Sequence, residues 1–150
     1  GTVRFEQKIS ETSGNFNGGL TDGNQFGNAV SSIGDMNGDG IIDLAAGADQ
    51  DDDGGSDRGA VWNMFMERDG EIISTSKISS TAGNFAGPLT DGTLFGSALA
   101  NPGDLDGDGI GDIAVGAMRD DDGGIDRGAF WVLFMQRSET DIDFTLFDDE

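Results

Sequence analysis

Between Ala60 and Met66 the chain is apolar at nearly every position (Ala60-Val61-Trp62-Asn63-Met64-Phe65-Met66), and residues 129–136 repeat the pattern. Apolar runs of this length, bounded by Gly and Asp, predict strands buried on both faces. Shorter apolar runs at 43–48 and 112–117 follow Asp- and Gly-rich stretches and predict strands as well. Asp69-Gly70 is a hairpin signal, so 71–79 is expected to pair back on 60–66. Residues 27–33 and 96–101, rich in small side chains, predict an inner strand ahead of each Asp-rich stretch. Residues 142–147 alternate polar and apolar positions, as a half-buried strand does. No segment has helical periodicity, and the fold class expected is all-β.

The pattern occurs twice. Residues 1–69 align on 70–138 without a gap, at an offset of 69, pairing Phe26 with Phe95, Asp35 with Asp104, Arg58 with Arg127 and Trp62 with Trp131. Self-similarity at a fixed period marks a repeat architecture. Residues 2–10 match 71–79 and are expected to be the outer strand of a preceding unit. The expected division is 1–69 (with 1–10 as that outer strand), 70–138, and 139–150 as a C-terminal strand and acidic end. Two long loops recur. The loop at 12–23 and 81–92 carries Phe16/Phe85 and Leu20/Leu89, expected to tuck beneath it. The loop at 51–59 and 120–128 is acidic and reads as a solvated turn, its alternative being a second cation site or a metal-dependent contact surface. Arg58 and Arg127 are expected to pair with neighbouring carboxylates. Trp62, Trp131, Phe5, Phe26, Phe65, Phe95 and Phe134 are expected in the core.

The chemistry lies in Asp35-Met36-Asn37-Gly38-Asp39-Gly40-Ile41-Ile42-Asp43 and its twin Asp104-Leu105-Asp106-Gly107-Asp108-Gly109-Ile110-Gly111-Asp112. Oxygen side chains stand at loop positions 1, 3, 5 and 9, and glycine at position 6 permits a sharp turn at positive φ. Alternate carboxylates in a tight loop can converge on one centre, and Ca²⁺ takes six to eight oxygen ligands. The expected ligands are Asp35, Asn37, Asp39, Asp43 and the Ile41 carbonyl at one site. At the other they are Asp104, Asp106, Asp108, Asp112 and the Ile110 carbonyl. An EF-hand would need Glu at position 12 and flanking helices. Position 12 is Ala46 or Val115, and short apolar strands follow.

A cation loop between strands with an acid at position 9 resembles the FG-GAP repeat, the blade unit of integrin α-chain β-propellers. Phe26-Gly27 and Phe95-Gly96 correspond to its "FG", and Gly47-Ala48 and Gly116-Ala117 to its "GA", with Asp49 and Met118 in place of the proline. The resemblance covers nearly the whole chain. It implies two four-stranded antiparallel propeller blades, one Ca²⁺ per repeat, and blades that belong to a propeller or to an open, oligomeric blade assembly. Two blades alone would leave sheet faces uncovered.

Composition narrows the partners. The 150 residues carry 29 acidic and 8 basic side chains, a net charge of −21. Nucleic acid is excluded as a partner, because its binding requires clustered Lys and Arg, and an anionic membrane surface is excluded for the same reason. No apolar run reaches the roughly 20 residues that span a bilayer. With no Cys and no His, neither Ser-His-Asp nor Cys-His catalysis can arise within the chain, and no enzyme is expected. The chain begins at Gly1, which reads as a processed product or a piece of a longer protein. The function expected is that of a calcium-binding structural or adhesive module, extracellular or at the cell surface. Its expected partners are other blades, copies of itself, or a protein or glycan ligand. The alternatives are a carbohydrate-binding, lectin-like propeller and an accessory propeller of a larger secreted enzyme.

Overall fold

A computed structural model describes residues 1–137. The seven strands are β1 (Val30–Gly34), β2 (Asp43–Ala48), β3 (Ala60–Met66), β4 (Ile72–Ile78), β5 (Phe95–Gly103), β6 (Asp112–Ala117) and β7 (Ala129–Leu133). They form two antiparallel meanders, a four-stranded sheet in the order β1-β2-β3-β4 and a three-stranded sheet in the order β5-β6-β7. There is no helix among the described residues, and the all-β expectation is met. The expected strand at 142–147 and the segment 139–150 lie outside the described residues.

The register shows why β3 is apolar throughout. Leu44, Ala46 and Ala48 face Met64, Trp62 and Ala60 across the β2–β3 ladder, while Ala45 faces Asn63. Successive side chains point to opposite faces of a sheet. One face of sheet 1 therefore carries Ala46, Ala48, Trp62, Met64 and Met66. These pack with Phe16 from the loop before β1, whose ring meets Trp62 edge-on at 5.3 Å. The other face carries Ala45, Val61 and Phe65, which join Ile33 and Ile78 in a core shared with Phe95, Ile113 and Val115 of sheet 2. Both faces of sheet 1 thus leave water, and apolar burial is the main favourable term in folding.

The two sheets approach to backbone contact at glycine. A Cβ on Gly47 would lie 2.0 Å from the Gly96 carbonyl oxygen, and one on Gly59 would lie 2.0 Å from the Phe95 carbonyl oxygen. Only residues without a Cβ allow this separation.

Several expectations are corrected. The strand expected at 27–33 begins at Val30, because the chain first turns through Gln25 (φ 54°) and Gly27 (φ 87°). The strand expected at 96–101 is longer, Phe95–Gly103, with register shifts at Phe95/Ala98 and Ala100/Gly103. The strand expected at 129–136 ends at Leu133. Residues 2–10 form no strand; only an isolated bridge joins Ser10 to Ser13. A strand exists through its pairing, and among the described residues this segment pairs with no strand of either sheet. Phe65 and Phe95 are buried as expected, but Phe5 (61% exposed) and Phe134 (60% exposed) are not. Phe134 points away from sheet 1, on the face opposite Trp131 and Leu133.

Candidate metal centre

Each Asp-rich loop links the inner strand of its sheet to the next, Val30–Gly34 to Asp43–Ala48 and Phe95–Gly103 to Asp112–Ala117. The first carboxylate of the loop shapes it. Asp104 accepts hydrogen bonds from the backbone N–H groups of Gly107 (2.7 Å), Asp108 (3.1 Å) and Gly109 (2.8 Å). Asp35 does the same with Gly38, Asp39 and Gly40 at 2.7, 2.9 and 2.8 Å. These bonds, foremost that from Gly109, hold the Asp104 carboxyl below the usual carboxylate range, because donors aimed at a carboxylate favour its charged form. Gly109 and Gly40 at position 6 have φ of 90° and 82°, the left-handed conformation that the turn requires.

The side chains of Asp104, Asp106 and Asp108 converge, each offering an oxygen within 4.8 Å of the others. All three are exposed. In the first loop Asn37 replaces the middle carboxylate, and its amide donates to Asp39 at 2.9 Å. The N–H groups of Ile41 and Ile110 donate to Asp39 and Asp108 at 2.7 and 2.8 Å. The Ile110 side chain is buried in the core between the sheets, which fixes the loop to the scaffold.

Asp112 and Asp43, at position 9, stand apart from these exposed groups. Both are fully buried. Asp112 accepts the N–H of Leu105 at 2.8 Å on one oxygen and that of Met135 at 3.0 Å on the other. Asp43 likewise accepts from Met36 at 2.9 Å and Met66 at 3.0 Å. Each position-9 carboxylate thus ties its loop to the third strand of its sheet or the residues just beyond. Burial pushes the Asp43 carboxyl up, against the bonds from Met66 and Met36 that lower it. Each engaged oxygen keeps a second lone pair, so a role in holding the loop does not bar it from ligating.

The acidic loop at 51–59 is neither a solvated turn nor a convergent set of free carboxylates. Asp51 is buried. Lys77 Nζ from β4 lies 2.9 Å from Asp51 Oδ1 and 3.4 Å from Asp53 Oδ2. The hydroxyls of Ser79 and Thr81 donate to Asp53, and the Ser79 bond is the foremost reason its carboxyl lies below the usual range. The sequence reading missed Lys77. Its signal was available: the chain has only two lysines, Lys8 and Lys77, one repeat apart. Arg58 pairs with Asp91 at 2.8 Å, as expected, whereas Arg127 makes no ion pair among the described residues. Trp62 is buried, so it is no platform for a sugar ring.

Comparison with known proteins follows the same lines. Residues 26–64 match the FG-GAP repeat. The chain is 32% identical over 117 residues to "Integrin alpha-PS5" of Drosophila melanogaster, covering 78% of this chain and 10% of that protein. It is 38% identical over 93 residues to "Integrin alpha-X" of Homo sapiens, covering 62% of this chain and 8% of that protein. With "Integrin alpha pat-2" of Caenorhabditis elegans it shares 36% identity over 98 residues. The chain spans a tenth or less of the length of these relatives. No described helix is long and apolar enough to cross a membrane. The repeated Phe-Gly and Gly-Ala pairs, the Asp-rich loop between them and these matches together place the chain in the FG-GAP repeat family.

Proposed function

We propose that this chain is a calcium-binding, propeller-type adhesion module of a cell-surface or extracellular protein, built as two repeats with boundaries near residue 69. The observation that carries the reading is the convergence of Asp104, Asp106 and Asp108 on a turn already fixed by Asp104 and three backbone N–H groups. That donor set is all oxygen and strongly anionic, which suits a hard cation. Asp104, Asp106, Asp108 and Asp112 with the Ile110 carbonyl would hold one Ca²⁺. Asp35, Asn37, Asp39 and Asp43 with the Ile41 carbonyl would hold another. The ion would neutralise clustered charge and lock each loop, and the rigid sheets would present their loops to a protein partner. The integrin α relatives support a role in contact rather than in catalysis.

Calorimetric titration tests the reading. Two Ca²⁺ should bind, the second loop more tightly because it has four carboxylates against three. Absence of binding, or equal binding of Mg²⁺, overturns it.

A further inference from the structure

The acidic loop of the first repeat has the spacing of the calcium loop that precedes it. Asp49, Asp51, Asp53, Gly54 and Asp57 stand at positions 1, 3, 5, 6 and 9, as Asp35, Asn37, Asp39, Gly40 and Asp43 do. The two loops flank β2, one before it and one after. Their turns agree. Gly54 has φ of 85° against 82° at Gly40. The position-5 N–H donates to the position-3 side chain in both, Asp53 to Asp51 at 3.0 Å and Asp39 to Asn37 at 3.1 Å. They differ in what lies among the oxygens. Lys77 Nζ, reaching from β4, is 2.9 Å from Asp51 Oδ1 and 3.4 Å from Asp53 Oδ2. It also lies 5.3 Å from the centre of the Trp62 ring. An ammonium is a compact point charge with three donors.

Asp49 is an independent sign of a cation. In the second repeat its place is taken by Met118. The Asp49 side chain is 4% exposed, and its Oδ2 accepts the Asn28 amide at 2.6 Å. Its Oδ1 is buried with no hydrogen-bond partner among the described residues. Burial pushes this carboxyl up, and the Asp57 charge acts in the same direction. A buried carboxylate is costly unless it is paired or coordinates a metal.

We propose that residues 49–57 are a further cation site of the calcium-loop kind, occupied by the chain's own Lys77 ammonium, and that removing the ammonium opens the site to Ca²⁺. Asp49, Asp51, Asp53 and Asp57 then supply side-chain oxygens, with the Gly55 carbonyl at position 7. The hydroxyls of Ser79 and Thr81, which donate to Asp53, keep that ligand ionised. One ammonium among four carboxylates leaves the loop anionic, so a dication enters once the lysine is gone. The two sides of β2 are thereby held differently. The loop before it is clasped by a diffusible metal and responds to calcium concentration. The loop after it is clasped by a tethered charge, which also binds it to β4 and needs no metal. The ligand positions are taken from the calcium reading of residues 35–43, and the inference rests on that reading to this extent.

Calorimetric titration of calcium into wild type, Lys77→Ala and Lys77→Arg tests the proposal. Lys77→Ala should bind one Ca²⁺ more than wild type. Lys77→Arg, which keeps the charge, should bind the same number as wild type. Adding Asp49→Asn or Asp51→Asn to Lys77→Ala should weaken the added ion by about tenfold or more, since ligand charge helps set affinity. In EDTA the Lys77→Ala chain should melt below wild type, and millimolar calcium should raise its melting temperature by more than that of wild type. Lys77→Gln, which keeps the stem against Trp62, repeats the test with the same expectations. No added ion in either variant, an added ion indifferent to Asp51→Asn, or a wild-type ion that Asp51→Asn displaces overturns the proposal. So does failure of both variants to fold in millimolar calcium, because calcium then does not replace the ammonium. The outcome is a difference from wild type and separates from the calcium reading itself. No ion in wild type and one in Lys77→Ala refutes that reading alone, whereas two in each refutes this one alone.

Discussion

Asp43 and Asp112 carry a load different from that of the other loop acids. Each is buried and accepts two backbone N–H groups, and a buried donor left unpaired costs about 1–3 kcal/mol. Asp43→Ala, whose donors Met36 and Met66 are buried, is therefore expected to lower the free energy of urea unfolding even in EDTA, by that amount for each of its two donors. Asp106→Ala removes an exposed carboxylate and should leave the unfolding free energy in EDTA within about 0.5 kcal/mol, while weakening calcium binding in titration. The regular spacing of oxygens made the loop legible in the sequence, but spacing alone cannot separate the exposed acids from the buried one. That distinction depends on what the third strand brings alongside. The two lysines one repeat apart pointed to Lys77, but its contact with Asp51 and Asp53 was not legible, since it joins residues on different elements whose register the sequence does not state. Asp53 gives a pH test. Hydrogen bonds from Ser79 and Thr81, and then the Lys77 charge, hold its folded carboxyl below the usual carboxylate range. Its contribution is then complete above the unfolded value and is lost as pH falls through the folded one. The melting temperatures of wild type and Asp53→Asn should differ near neutral pH and converge in that acid window.

At the scale of elements, the apolar runs located β2, β3 and β6 at the positions where they lie, because a strand buried on both faces leaves a continuous signature. The inner strands were less legible. Their bounds depend on glycine-permitted turns and register shifts, as at Gln25–Gly27 and Ala100/Gly103. The segment 2–10 has a strand's sequence and no partner within the described residues, and pairing is a property of two segments. Glycine also sets how closely the sheets meet. Gly47→Ala would drive a methyl group onto the Gly96 carbonyl, and overpacking of this kind costs about 1–3 kcal/mol. Gly116→Ala, at the corresponding place in sheet 2, comes no nearer than 3.0 Å to the Ala98 methyl and 3.4 Å to the Ala98 nitrogen and the Ser97 hydroxyl. A smaller loss is expected there, measured by chemical denaturation of the two variants side by side.

For the whole molecule, clustered carboxylates repel one another unless a cation sits among them. A ligand that binds only the folded state adds RT ln(1 + [L]/Kd), about 2.7 kcal/mol at a hundredfold excess over Kd. Chelation with EDTA is accordingly expected to lower the melting temperature, and readdition of calcium to restore it. An unchanged melt after verified metal removal would refute calcium support of the fold. The glycine contact between the sheets has one more consequence. Because Gly116 stands on the free face of sheet 2 where Gly47 stands in sheet 1, a following sheet would meet bare backbone there too. The step from sheet to sheet is therefore written into a single repeat, like the rise of one stair, and a closed circle is limited by rotation per step alone.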